Sequence, residues 1–183
     1  MIRFVVVLSG LLLLGGCASL GPARPADAFF ERLRGLCGKS FAGRVVTTDP
    51  ADAAFAGKPL VMRVADCSDS QVRIPFAVGE DRSRTWVVTR TDKGLRLKHD
   101  HRHEDGAEDE LSQYGGDTDT PGSAARQAFP ADAFSRTLFL AKGNPASVDN
   151  VWAMEVHPGA TFAYELRRPN RFFRVEFDLS KPL

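Results

Sequence analysis

The sequence predicts an all-β protein with one short N-terminal helix, folded as an antiparallel β-barrel or barrel-like sandwich of about nine strands. Most of the chain after residue 40 alternates apolar and polar side chains with a period of two, as strands with one buried face do. Turn-forming residues separate these runs, and only one segment has apolar residues at helical spacing. With 183 residues, of which 43% are hydrophobic, the chain is long enough for one domain with a packed core.

The helix is predicted over residues 26–36. Asp27 is the expected N-cap, because a carboxylate there can accept hydrogen bonds from the first free backbone N–H groups. The apolar residues of this segment share one helical face: Phe29, Phe30, Leu33 and Leu36.

After the helix the period changes to two. The strands are predicted at 41–48, 60–66, 71–78, 84–91, 95–103, 137–141, 150–157, 161–168 and 171–179. The last is the clearest, since Phe173, Val175 and Phe177 alternate with charged residues. Pro169-Asn170 before it indicates a tight hairpin, and closing the sheet into a barrel would protect its edges.

Residues 104–133 interrupt this pattern with a long, acidic stretch of little periodicity. We expect a loop there, with turns at Gly115-Gly116 and Gly122, and loops of such length are often functional. The balance of 24 Lys and Arg against 23 Asp and Glu argues against a nucleic-acid-binding protein, which normally carries a basic surplus.

The N-terminus predicts an export signal. Arg3 precedes an apolar stretch, 4–14, that is too short to span a bilayer as a helix. It ends in Leu14-Gly15-Gly16-Cys17, which resembles the lipobox of bacterial lipoproteins. The resemblance implies cleavage before Cys17 and modification of its thiol with diacylglycerol, so that acyl chains such as palmitate anchor the protein. The alternative is an ordinary secretory signal that leaves Cys17 a free thiol.

The resemblance divides the chain into a signal peptide, 1–16, a lipidated cysteine with a Pro- and Ala-rich tether, 17–28, and one β-rich periplasmic domain, 29–183. Ala18 stands where an Asp would favour retention in the inner membrane of enterobacteria. The expected location is therefore the cell envelope, at the outer membrane and facing the periplasm.

If Cys17 is lipidated, Cys37 and Cys67 remain. The periplasm is oxidising, so we expect a disulfide between them, and the alternative is a redox or metal pair. The segment Gly38-Lys39-Ser40-Phe41 faintly resembles the start of the first strand in lipocalin-like (calycin) barrels, with Phe in place of Trp. That resemblance implies a barrel pocket for a small apolar ligand. Trp86, Trp152, Tyr164 and the 13 Phe are expected mostly in the core, and some of them could line such a pocket.

Three of the four histidines lie in the strand predicted at 95–103. Alternation places His99, His101 and His103 on the face that Leu95 and Leu97 begin. Neighbouring imidazoles on one face can bind a divalent transition metal, and Glu108 could complete the site. The spacing of His101, His103 and Glu108 also resembles part of the first cupin motif. The alternative is that these histidines pair with nearby acids on a solvated surface.

Four arginines, 167, 168, 171 and 174, surround the last hairpin. They could form a patch for phosphate or lipid headgroups, or reflect composition alone, since Arg outnumbers Lys 18 to 6. No catalytic set of residues is identified. The favoured function is non-enzymatic, with the protein binding a small ligand or serving the cell envelope. The alternatives are a metal-binding or metal-dependent protein, and a structural partner in an envelope complex.

Overall fold

The structure, a computed structural model, describes residues 24–183. It confirms the predicted fold class, with ten antiparallel strands in a nearly closed barrel consistent with a lipocalin-like fold. The two helices are α1, Pro25–Arg34, and α2, Ala133–Ala141. The strands are β1 Ser40–Val45, β2 Leu60–Arg63, β3 Gln71–Val78, β4 Asp81–Thr91, β5 Gly94–His101, β6 Tyr114–Asp117, β7 Arg126–Pro130, β8 Val151–His157, β9 Thr161–Arg168 and β10 Arg171–Pro182.

Strands follow one another around the barrel in the order β6-β5-β4-β3-β2-β1-β10-β9-β8-β7. Because neighbouring strands are antiparallel, successive connections alternate between the two ends of the barrel. The three longest connections, 46–59, 102–113 and 131–150, all lie at the same end, which we call the mouth. The opposite, closed end carries helix α1 and four connections of eight residues or fewer, 64–70, 92–93, 118–125 and 158–160.

Helix α1 covers the closed end. Its apolar face buries Phe29, Phe30 and Leu33 completely in the barrel core. The helix begins at Pro25, so the last four residues of the segment predicted as a tether belong to it. Asp27 is not the N-cap that we expected, because it lies in the first turn. There its carboxylate accepts a hydrogen bond from Arg90 Nη1 of β4 at 2.6 Å, which holds helix α1 against this strand of the barrel.

The predicted disulfide between Cys37 and Cys67 is confirmed. It joins the segment after α1 to the β2–β3 connection, so it holds the helix against the closed end. The chain-entropy model assigns about 3–4 kcal/mol of stabilisation to a loop of this size. Within residues 24–183, none of the helices is both long and apolar enough to cross a membrane.

Aromatic side chains fill the middle of the barrel. Trp86 of β4 stacks between Phe76, with ring centroids 4.7 Å apart, and Tyr164, at 4.4 Å. Phe162 and Phe177 complete this layer and are almost fully buried. The core, the disulfide and the covering helix all belong to residues 24–183, so this part of the chain has what a domain needs to fold alone.

The barrel closes between β6 and β7 through backbone contact. The backbone N–H of Asp132, just after β7, donates to the carbonyl of Gly115 at 2.9 Å. The N–H of Gly115 donates to Ser135 Oγ of α2 at 2.7 Å. This approach requires glycine, because a Cβ at Gly116 would overlap the carbonyl oxygen of Pro130.

Two local predictions were wrong. Residues 104–133 are not one long loop, since they contain β6 and β7, and Gly115-Gly116 belongs to a strand rather than a turn. Residues 137–141 form the second half of α2 instead of a strand. Asp132 caps that helix, because its carboxylate accepts a hydrogen bond from the backbone N–H of Ser135 at 2.8 Å. The apolar run that follows Asp132 made this cap hard to recognise in the sequence.

Candidate functional site

A cavity of about 380 Å³ opens at the mouth of the barrel. This volume lies within the range of about 300–1,000 Å³ that is usual for small-molecule sites. Aromatic and apolar side chains form part of its wall: Leu111, Tyr114, Phe139, Trp152, Tyr164 and Leu166. Polar side chains form the rest: His101, Asp109, Asn144, Ser147, Asn150 and Arg168. Such a lining suits a ligand that has a flat apolar body and at least one polar group.

Three parts of the fold meet at this cavity. The end of β5 and the start of β6 contribute His101 and Tyr114, and β8 and β9 contribute Trp152 and Arg168. The connection between β7 and β8 supplies the third side, where Phe139 of α2 packs near Trp152 with ring centroids 6.4 Å apart. Residues from distant parts of the sequence therefore converge here because strand ends and a long connection share the mouth.

His99 lies beneath the cavity and is almost fully buried. Its Nδ1 is 3.1 Å from the carbonyl oxygen of Tyr114 and its Nε2 is 2.7 Å from Tyr164 Oη. Since a carbonyl can only accept, Nδ1 carries the proton and Nε2 accepts the Tyr164 hydroxyl. Burial lowers the pKa of His99 to about 3, so the imidazole is neutral near pH 7.

His101 lies one step nearer the mouth and lines the cavity. Its Nε2 is 3.1 Å from Tyr114 Oη. Burial, assisted by the nearby Arg84 guanidinium, lowers the pKa of His101. Burial also raises the pKa of Tyr114 to about 12 and that of Tyr164 well above its usual value. The imidazoles and phenols therefore present neutral hydrogen-bonding groups.

The residues of the predicted metal site are not brought together. The predicted alternation does place His99 and His101 on the inner face, but both nitrogens of His99 are engaged. His103 lies beyond β5, exposed, with Nε2 3.9 Å from Asp109 Oδ2. Glu108 instead accepts a hydrogen bond from Gln113 Nε2 at 2.5 Å. In the part of the chain that the structure describes, no group of three or more His, Cys, Asp or Glu is placed to hold a metal ion.

The four arginines of the last hairpin do not form a single patch. Arg167, Arg168 and Arg171 line a surface depression of about 630 Å³ beside the hairpin, and Arg174 is not part of it. Arg174 lies on the outer face, where it pairs with Glu155 at 2.9 Å and with Glu165. Arg171 pairs with Asp52 of the β1–β2 connection. Arg167 lies over the ring of Phe172, 4.4 Å from its centroid. Only Arg168 lines the mouth cavity.

Arg168 was not distinguished from the other three arginines of the last hairpin in the sequence. Its Nη1 donates to Ser147 Oγ at 2.9 Å and to Asn150 Oδ1 at 3.3 Å, which fixes the 3₁₀ turn Pro145–Asp149 against β9. No sequence signal distinguishes Arg168 from Arg167, apart from strand alternation, which places the two side chains on opposite faces. Trp152 and Tyr164 are buried in the core, as expected, and they also line the mouth cavity.

A second cavity, of about 600 Å³, lies beneath the β1–β2 connection. Its buried acid, Asp52, accepts the Thr47 hydroxyl at 2.6 Å and pairs with Arg171. Phe55 from the same connection packs on Phe173, with ring centroids 4.9 Å apart. These internal contacts hold the connection on the barrel and engage the charged groups of Asp52 and Arg171 with each other. We therefore take the mouth cavity as the candidate site.

Cys17, predicted to be lipidated, lies outside the described residues. No family model matches the chain, and comparison with curated proteins and with solved structures gives no match either. The interpretation of the site therefore depends on its own geometry.

Proposed function

We propose that this protein is a periplasmic lipoprotein, anchored in the outer membrane through Cys17, whose barrel binds a small ligand and catalyses no reaction. The observation that carries the binding function is the mouth cavity of about 380 Å³ with its aromatic walls. The neutral imidazole of His101 and the phenol of Tyr114 line it and suit hydrogen bonding to a ligand. They are less suited to proton transfer near pH 7, for which pKa values close to 7 are favourable.

The position of Arg24 fits this proposal. Arg24, the first described residue, donates from Nη1 to the carbonyl of Asp92 at 2.7 Å, at the closed end of the barrel. Residues 18–24 can extend over at most about 25 Å, so a lipid on Cys17 would keep the closed end near the membrane. The mouth would then face away from the bilayer, and the ligand would arrive from the aqueous periplasm.

The experiment uses N-phenyl-1-naphthylamine, a neutral aromatic probe whose fluorescence rises in apolar surroundings. Residues 18–183, which lack the lipid anchor, would be titrated in detergent-free buffer. We expect saturable binding of one probe per chain with Kd of the order of 0.1 mM or below, as a probe of this size can reach in a well-fitted pocket.

A cavity-filling variant tests the place of binding. Asn144 lines the cavity but is exposed, so Asn144→Trp should block the site without removing core contacts. Ala146→Trp is the matched control, because Ala146 is exposed and outside the lining. The proposal requires that Asn144→Trp lowers affinity at least about tenfold while Ala146→Trp does not. Absence of saturable binding, or an equal effect of both substitutions, would reject it.

A further inference from the structure

Arg168 has hydrogen-bonding capacity that the protein itself does not use. A guanidinium has five N–H donors, and Arg168 employs only Nη1, toward Ser147 and Asn150. Within residues 24–183, its Nε and Nη2 have no hydrogen-bond partner and no carboxylate lies within 4.0 Å of it. The side chain is only half-buried and lines the mouth cavity, so its free donors are available to a ligand there.

Its neighbours in the last hairpin show the contrast. Arg171 is neutralised by Asp52 of the β1–β2 connection, and Arg174 by Glu155 and Glu165 of the barrel wall. A partly buried charge without an opposite charge is unfavourable, which is why such groups are normally paired. Arg167 also lacks a carboxylate partner, but it is exposed to water and lies over the ring of Phe172. Since the fold supplies carboxylates to Arg171 and Arg174 and none to the half-buried Arg168, a bound ligand is the natural source of its counter-charge.

One acid, Asp109, also lines the cavity, and its contacts are different. Its Oδ1 accepts the backbone N–H of Leu111 at 2.7 Å, and its Oδ2 faces His103 Nε2 at 3.9 Å. Asp109 therefore holds the β5–β6 connection in shape. The carboxylate is engaged by its own loop, whereas the guanidinium of Arg168 is not engaged by an acid.

We propose that the ligand of the mouth cavity is an anionic aromatic molecule, whose acidic group is bound by Arg168 while its ring lies against Tyr114, Phe139 and Trp152. This inference rests on the proposed binding function and specifies the ligand class. The planar guanidinium matches carboxylate, phosphate and sulfonate groups, which can accept two parallel N–H bonds from it.

Two probes with the same aromatic skeleton test the charge. 8-Anilino-1-naphthalenesulfonate is N-phenyl-1-naphthylamine with an added sulfonate. We expect the sulfonated probe to bind residues 18–183 about tenfold more tightly than the neutral one, as a charge-assisted hydrogen bond allows. Its affinity should fall with rising salt concentration, whereas that of the neutral probe should not.

Arg168→Gln is the decisive variant, because the Gln amide can still donate to Ser147 or Asn150 but carries no charge. We expect it to weaken the sulfonated probe about tenfold and to leave the neutral probe within about twofold, which also shows that the cavity is intact. Arg168→Lys should weaken the binding of the sulfonated probe less than Arg168→Gln does, since lysine keeps the positive charge but lacks the planar pair of N–H donors. Arg167→Gln, on the opposite face of β9, should not weaken the sulfonated probe.

The outcomes separate the inference from the proposed function. Equal affinity for both probes, or an unchanged affinity of the sulfonated probe in Arg168→Gln, would overturn the assignment of an anionic ligand while leaving ligand binding intact. Failure of both probes to bind would overturn the proposed function itself. A loss of the sulfonated probe in Arg167→Gln equal to that in Arg168→Gln would show general surface attraction, and would also overturn the inference.

Discussion

Acidification from pH 6 to pH 4 should cost the folded protein about 2–3 kcal/mol through His99 alone. Burial lowers the pKa of His99 from 6.5 to about 3 in the folded protein. Between these values the unfolded chain binds the extra proton, so the free energy of unfolding falls as the pH falls. The slope approaches about 1.4 kcal/mol per pH unit for one such group. About 1 kcal/mol of the stabilisation is already lost at pH 6, and roughly 3 kcal/mol at pH 4.

Urea unfolding of residues 18–183 at pH 6, 5 and 4 measures this loss. Carboxylates also titrate in this range, so the wild type must be compared with His99→Gln. A Gln amide can donate to the carbonyl of Tyr114 and accept from Tyr164, as His99 does, but it has no titrating group. We expect the wild type to lose about 2–3 kcal/mol more than His99→Gln over this interval. Exposed His157 provides the matched control, because His157→Gln makes the same replacement away from the cavity.

The refuting result is a parallel pH dependence in the wild type and in His99→Gln. It would mean that His99 takes up its proton equally in the folded and unfolded chains, and so that it is not held neutral beneath the cavity.

Three further predictions concern the contact between β6 and β7, the disulfide and the anchor. Gly116→Ala should lower the free energy of unfolding by about 2 kcal/mol or more, because the added methyl overlaps the carbonyl of Pro130. A stability within about 0.5 kcal/mol of wild type in urea would contradict this close approach of β6 and β7. Replacing Cys37 and Cys67 by Ala should cost about 3–4 kcal/mol in the same assay, and no loss would show that the disulfide does not constrain the unfolded chain. Cys17→Ser should abolish incorporation of labelled palmitate by expressing cells, and continued labelling would reject Cys17 as the lipidated residue.

The alternating strands could be predicted from the sequence. The predicted bounds of the strands at 71–78 and 161–168 agree with β3 and β9 residue for residue. Each has a regular period of two between clear turn residues, so local pattern and barrel environment agree. The helix at the closed end could be predicted for the same reason, because its apolar spacing matches the face that it buries.

Other elements depend on contacts that the local sequence does not contain. Strand β6 has the sequence Tyr-Gly-Gly-Asp, without apolar alternation. It becomes a strand because Gly115 admits the backbone of β5 and Gly116 admits that of β7. Residues 137–141 form a short apolar run, which periodicity alone cannot assign to strand or helix. The cap by Asp132 stabilises the first turn and so favours a helix here.

The candidate site could be predicted only in part. Alternation correctly places His99 and His101 inside the barrel, but their partners come from other strands. Tyr164, the partner of His99, is 65 positions away in the sequence. Arg168 belongs to a cluster of four arginines in the sequence. The pairing of β9 with β10 and the contact of Arg168 with Ser147 of the β7–β8 connection distinguish it from the other three.

A crystal structure of residues 18–183 with 8-anilino-1-naphthalenesulfonate tests the central claim most directly. The account predicts the ring in the mouth cavity, against Phe139 and Tyr114, with sulfonate oxygens within about 3 Å of the Arg168 nitrogens. A probe bound elsewhere on the barrel, with the mouth cavity empty at saturating concentration, would contradict it.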